Sequence, residues 1–217
     1  MAKIIDITGE IYSGMWSYGF PFPEVEIKPL AEIDWVKYKI YAEVFEGLNS
    51  QSGTYLETPA HLLGEASYPL IDVEVSKLVD VPCVVLNVGS LRGEPITREM
   101  LEKSKNADKI KEGCAILVSA NYGQKWKDGD YLSSCPYFTA DAMSWLVSKK
   151  PFLLGSDFPR WDNLEKPQGF WQDFYNADIL MLAPVVNIEA VDEALLTVLP
   201  IKAAVTSCAP CRAILKI

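Results

Sequence analysis

The chain alternates short apolar runs with amphipathic stretches. CVVLNV at Cys83–Val88, CAILVS at Cys114–Ser119 and PFLLGSD at Pro151–Asp157 are short and apolar on both faces. Such runs predict strands buried on both sides of a sheet. The segment from Thr97 carries Glu99 in its first turn and Met100 and Leu101 behind it. Thr97 has the hydroxyl an N-cap needs, which predicts a helix over 97–106. A second helix is predicted over 139–149. It opens at Thr139, carries Asp141 early, and places Met143, Leu146 and Val147 on one stripe. Lys149 and Lys150 close it, where positive charge suits the helix dipole. Further strands are predicted at Ile4–Thr8, Lys37–Phe45, Leu196–Ala204 and Ala213–Ile217. Gly14–Pro23 (GMWSYGFPFP) is too rich in Gly, Pro and aromatics for regular structure and reads as a loop. Strands interleaved with helices predict an α/β fold with a mixed central sheet. No repeat or linker divides the 217 residues, so a single domain over 1–217 is expected.

Charge narrows the function classes. Twenty Lys+Arg stand against 29 Asp+Glu, a net charge of −9. An acidic chain with no basic stripe repels phosphate backbones, so nucleic acid is not expected as a partner. The longest apolar stretch, around Val81–Val88, contains Pro82 and Asn87 and is far too short to cross a bilayer. The N-terminal apolar run is broken by Asp6 and Glu10, which a secretory leader does not tolerate. A soluble cytoplasmic protein with no membrane partner is the expectation.

Five cysteines are present, and Cys83 and Cys114 fall inside strand-like runs as small core residues. Cys208-Ala-Pro-Cys211 has the spacing of a redox or metal pair, but no second CxxC accompanies it. The pair is expected in a turn between two strands.

One segment gathers chemistry. Gln51-Ser-Gly-Thr-Tyr-Leu-Glu-Thr-Pro-Ala-His61 brings an amide, a phenol, a carboxylate and the only imidazole of the chain around Gly53 and Pro59. His61 alone has an unperturbed pKa suited to proton transfer near neutrality. On residues alone it reads either as a structural histidine or as an acid/base. Trp16, Tyr18, Phe20 and Phe22 either wall an aromatic substrate pocket or plug a core edge.

The segment resembles the HxGTHxDxPxH signature of the metal-dependent cyclase and kynurenine-formamidase-like family, which includes isatin hydrolases. Register is kept at Gly53, Thr54, Pro59 and His61. The opening IIDITGEIYSGMWSYG, the LVSANYGQKW stretch, CPYFTADAMSWLVSKKPFLLGSDFP and the ending APCRAIL resemble family segments in the same order. The resemblance implies a swivelling β/β/α-type domain. It also implies hydrolysis, or the reverse cyclisation, of an amide, formamide or lactone of a small aromatic compound, as in arylformamidases. By the same alignment Gln51, Tyr55 and Glu57 stand where the family has His, His and Asp. A later His–Glu pair of the family falls near Trp171 or Gln172 and near Ala183. His61 matches the family's general acid/base.

Without the usual imidazoles, a metal-free site is expected, with His61 and Glu57 as acid/base and Tyr55 stabilising negative charge. Gln51, Trp16, Tyr18 and Phe20 are then expected to bind substrate. If a metal is held, Gln51, Glu57 and His61 are the expected donors, for Mn²⁺, Mg²⁺ or Zn²⁺, with Asp157 or Asp173 as added carboxylates. The alternative is a binding or structural homologue that has lost catalysis. The aromatic loop and the family's habit of assembling predict a homodimer or homotetramer.

Overall fold

The computed structural model describes residues 2–217. Its strands are β1 (Ile4–Asp6), β2 (Glu26–Pro29), β3 (Glu43–Glu46), β4 (Tyr55–Glu57), β5 (Val81–Asn87), β6 (Pro95–Ile96), β7 (Ala115–Ser119), β8 (Tyr137–Phe138), β9 (Leu153–Ser156), β10 (Leu180–Ala183), β11 (Glu193–Pro200) and β12 (Cys208–Lys216). The helices are α1 (Ala60–Leu63), α2 (Arg98–Lys103), α3 (Ala140–Ser148) and α4 (Trp171–Asn176).

Three of the predicted apolar runs form β5, β7 and β9, which pair in parallel, with β10 continuing the parallel set. Antiparallel β11 joins β5 on one side and β4 joins β10 on the other. β12 then pairs with β11 through residues 211–216 and with β4 through residues 208–210. The mixed sheet therefore closes on itself as a seven-stranded barrel, with β1 added beside the end of β12. Closure removes the open edges that such a sheet would otherwise expose.

Period-two alternation sorts the side chains. Ala115, Leu117, Leu153, Leu180, Leu182, Ala209 and Ala213 fill the barrel interior with Leu56 and Val85. Ile116, Val118, Leu154 and Met181 point outward and pack with residues of α2, α3 and α4. Thr97 and Thr139 cap α2 and α3 as expected, accepting the N–H of Met100 and of Ala142. Gly155 admits no larger residue, since a Cβ there would lie 2.6 Å from the Leu182 carbonyl oxygen.

Three expectations are corrected. Only the end of Lys37–Phe45 is a strand, because Lys37–Tyr41 is exposed and packs on no sheet. The strand expected at Leu196–Ala204 lies at Glu193–Pro200, ahead of a turn in which Val205 takes a positive φ of 54°. Cys208–Cys211 is not a turn but the first residues of β12. Pro210 has no N–H to give the ladder, and its carbonyl accepts the N–H of Ile201.

Asp157, just past β9, fastens β9 to β7. It is buried and accepts the Ser119 hydroxyl at 2.8 Å and the N–H groups of Ala120 and Tyr122 at 2.9 and 3.0 Å. Burial outweighs these donors and lifts its pKa from 3.8 to about 6. Between those values the folded protein holds a proton that the unfolded chain has lost. Stability from this group is therefore lost as pH rises through about 6. From about pH 5 to 7.5, urea unfolding of the wild type should lose about 1 kcal/mol more than that of Asp157→Asn. Equal slopes for the two proteins would refute the assignment.

Candidate functional site

The motif segment is built by backbone demands before any chemistry. Gly53 has φ of 73°, and a Cβ there would meet Ile11 Cγ1 at 2.8 Å. Thr54 Oγ1 donates to the Pro184 carbonyl at 2.6 Å and accepts the Gly9 N–H at 2.8 Å. These bonds tie the start of β4 to the end of β10 and to the N-terminal segment. In β4 itself, Leu56 enters the barrel, so Tyr55 and Glu57 face outward. Glu57 lies directly opposite Met181 of β10 on one side and Cys208 of β12 on the other. Pro59, with φ of −54°, opens α1 and brings His61 round to the same face, four residues after Glu57.

Glu57 is only 1% exposed. Its Oε1 accepts the Tyr175 hydroxyl from α4, and its Oε2 accepts Gln51 Nε2 at 3.3 Å. Burial raises the proton affinity of this carboxyl, opposed by His61 and by the bonds from Tyr175 and Gln51. His61 Nδ1 stands 3.6 Å from Oε2 and 3.9 Å from Cys208 Sγ. Carboxylate and thiol thus converge on one ring nitrogen, rather than one on each nitrogen as in a nucleophile–His–acid relay. The ligand atoms of Glu57, His61 and Cys208 lie within 4.8 Å of one another.

Oxygen, imidazole nitrogen and thiolate sulfur are donors that zinc accepts, and three protein ligands match catalytic zinc sites. The residues present therefore fit a divalent metal. Cys208 takes the third place expected of Gln51, which instead holds Glu57. Asp157 lies among its own donors near Ser119, and Asp173 is exposed on α4; neither joins the cluster.

Above this cluster lies a cavity of about 560 Å³ lined by Gln51, Tyr55, Glu57 and His61 together with aromatic residues. Trp171 forms one wall. It stacks on Tyr175 at 5.7 Å and 19° and on Trp161 at 6.1 Å and 7°. Tyr18 and Phe22 come from the Gly14–Pro23 loop. The Tyr18 hydroxyl donates to the Pro159 carbonyl at 2.9 Å and lies 3.0 Å from the Tyr55 hydroxyl. Its single proton is thereby committed, so Tyr55 is the donor of the second bond. Burial holds both phenols well above their ordinary pKa, and they stay protonated.

Trp16 and Phe20 do not reach the cavity. Trp16 packs edge-on behind Tyr18 at 5.6 Å and against Trp126 at 5.2 Å. Phe20 is fully exposed, at 101%, beside the cis Phe20–Pro21 bond. Of the positions aligned with the family's later pair, Trp171 lines the cavity and Gln172 is exposed, bonding Asn176. Ala183 is buried opposite Tyr55. Sequence reasoning missed Tyr175, Arg160 and the role of Cys208. The odd separation of Cys208 from the inward-facing Ala209 set becomes informative only once β12 is paired with β4.

Solved structures share this architecture. An isatin hydrolase bound to the product analogue thioisatinate superposes with a TM-score of 0.81 and 20% identity, over 100% of this chain and 92% of its own. Isatin hydrolase A from Labrenzia aggregata, bound to benzyl benzoate, gives 0.80 and 16%, over 100% and 94%. A potential metal-dependent hydrolase with cyclase activity gives 0.79 and 18%, over 100% and 98%. At these identities the likeness carries the fold. Comparison with curated protein sequences gave no match. The model of the Cyclase family, described as "Putative cyclase", matches residues 5–163, which include β4 with Glu57 and α1 with His61. The chain belongs to the Cyclase family.

Proposed function

We propose that the protein hydrolyses, or in reverse closes, an amide, formamide or lactone bond of a small aromatic compound. The observation that carries this reading is a buried carboxylate 3.6 Å from an imidazole on the wall of an aromatic-lined cavity. Family membership and neighbours named as isatin hydrolases and as a metal-dependent hydrolase support it.

An aryl ring set against Trp171 and Tyr175 directs its carbonyl carbon to Glu57 and His61. Glu57 accepts the proton of the attacking water. His61, whose Nδ1 is turned to Glu57 and Cys208, hands a proton from Nε2 to the departing nitrogen or oxygen. The C–N or C–O bond breaks with its electron pair on that atom. Tyr55 stabilises the developing oxyanion by turning its hydroxyl from Tyr18 to the substrate oxygen. Glu57, His61 and Cys208 are the residues that would hold a divalent metal, which when bound acidifies water and polarises the carbonyl. The sulfur donor favours zinc over magnesium or manganese.

His61→Asn should lower kcat/KM on aryl formamides and lactones by roughly 10²–10⁴-fold, as for a lost acid/base. Its side chain is 39% exposed, so the urea midpoint should hardly move. A lowered midpoint with undiminished activity per folded molecule would mark His61 as structural. A wild type inert to every such substrate would favour a non-catalytic binding protein.

Cys208→Ser should weaken zinc binding at least tenfold in equilibrium dialysis, since it removes one of three donors. The cobalt-loaded wild type should show a thiolate-to-metal absorption band that the variant lacks. Unchanged affinity in the variant would remove Cys208 from the metal set.

A homo-oligomer is part of the same proposal. The apolar surface that supports it lies on the β2–β3 arm, where Trp35, Tyr38 and Tyr41 are more than four-fifths exposed. Sedimentation at micromolar concentration should give a dimer or tetramer, and a monomer would contradict it.

A further inference from the structure

Four arginines occur in the chain, and three of them face a carboxylate. Arg92 pairs with Asp130, Arg98 with Glu102 and Arg212 with Asp6. Arg160 pairs with none among the described residues, and it is the only Lys or Arg lining the cavity. The nearest acid along the chain, Asp162, lines the same cavity but makes no ion pair with Arg160. Its Oδ1 accepts the N–H groups of Asn163 and Gln168, each at 2.8 Å. The Arg160 guanidinium instead lies 5.9 Å from the centroid of the Tyr18 ring. Tyr18 spans the distance to the reacting face, since its hydroxyl meets that of Tyr55, two residues before Glu57 in β4.

The cavity lining therefore carries one partly buried cation with unused donors, Arg160, beside aromatic walls and two carboxyl groups, the buried Glu57 and Asp162. A neutral ligand makes no use of that cation. An anion entering the cavity is repelled by Glu57 and Asp162 unless its charge rests against Arg160. A guanidinium presents a planar fork matched to a planar carboxylate and is weakly hydrated, which suits it to a half-buried wall.

We propose that Arg160 anchors a carboxylate of the substrate, so that the substrate class is an aryl compound bearing a carboxylate apart from the bond that is cleaved. This deepens the hydrolase reading and rests on it for the identity of that bond. Arg160 is a specificity residue here: it fixes which end of the ring faces Glu57 and His61.

The test compares two ligands of nearly the same shape that carry no bond the reaction would cleave, benzoate and nitrobenzene. Isothermal titration calorimetry on the full chain should show benzoate binding on the order of tenfold more tightly, as for a charge-assisted pair. Added salt should shrink that preference. Arg160→Gln should abolish the preference while leaving nitrobenzene affinity unchanged, and Arg160→Lys should restore part of it. Equal affinities in the wild type, or a preference that survives Arg160→Gln, would overturn the proposal. So would equal loss of both ligands in Arg160→Gln and Arg160→Lys, which would mean that Arg160 shapes the cavity rather than reads charge. Because neither ligand is turned over, failure of the hydrolase reading would appear in the kinetics and leave this result standing.

Discussion

The structure depends on the antiparallel pairing of β12 with β4. Residues 211–216 of β12 bind β11, and residues 208–210 reach across to β4, so one strand closes the barrel. Closure fixes parity. Leu56 and Ala209 must enter the barrel, and Glu57 and Cys208 must then leave it on the same side. A slip of one residue would drive the Glu57 carboxylate into an aliphatic interior, at a cost no packing there offsets. The face that carries Glu57 and Cys208 is thus set by the same alternation that fills the core.

What surrounds Glu57 follows from its burial. A carboxylate so enclosed needs donors, and Tyr175 and Gln51 supply them while His61 contributes charge. The phenol of Tyr175 comes from α4, and Trp171 of the same helix stacks on Tyr175 and on Trp161 to form the cavity wall. Holding the carboxylate and building the wall are one packing problem. Tyr55 and Tyr18, linked to each other and, through Tyr18, to the Pro159 carbonyl, also line the cavity and bring the loop aromatics within reach of the site.

Much of this was legible in the chain. The buried strands β5, β7 and β9 and the capped helices α2 and α3 could be read locally, because burial pattern and cap chemistry are properties of a few consecutive residues. So could the cluster from Gln51 to His61, held within eleven residues by Gly53 and Pro59. Cys208 was not legible as a member of the site. Its two neighbours there, Glu57 and His61, lie about 150 residues away, and the CxxC spacing suggested a pair that the strand splits. Cys208 and Cys211 are three residues apart on an extended strand, so they face opposite ways, and Cys211 packs inside the barrel. Trp16 and Phe20 misled for a similar reason. Composition marks an aromatic loop, but only its folded course decides that Tyr18 and Phe22 line the cavity.

The central claim is that Glu57 and His61 act as one unit on the bound carbonyl. A double-mutant cycle on aryl formamide or lactone hydrolysis tests it most directly. If the two proton transfers belong to one concerted step, Glu57→Gln and His61→Asn together should cost little more than the worse single variant. Losses that multiply fully would show two independent contributions and contradict the account.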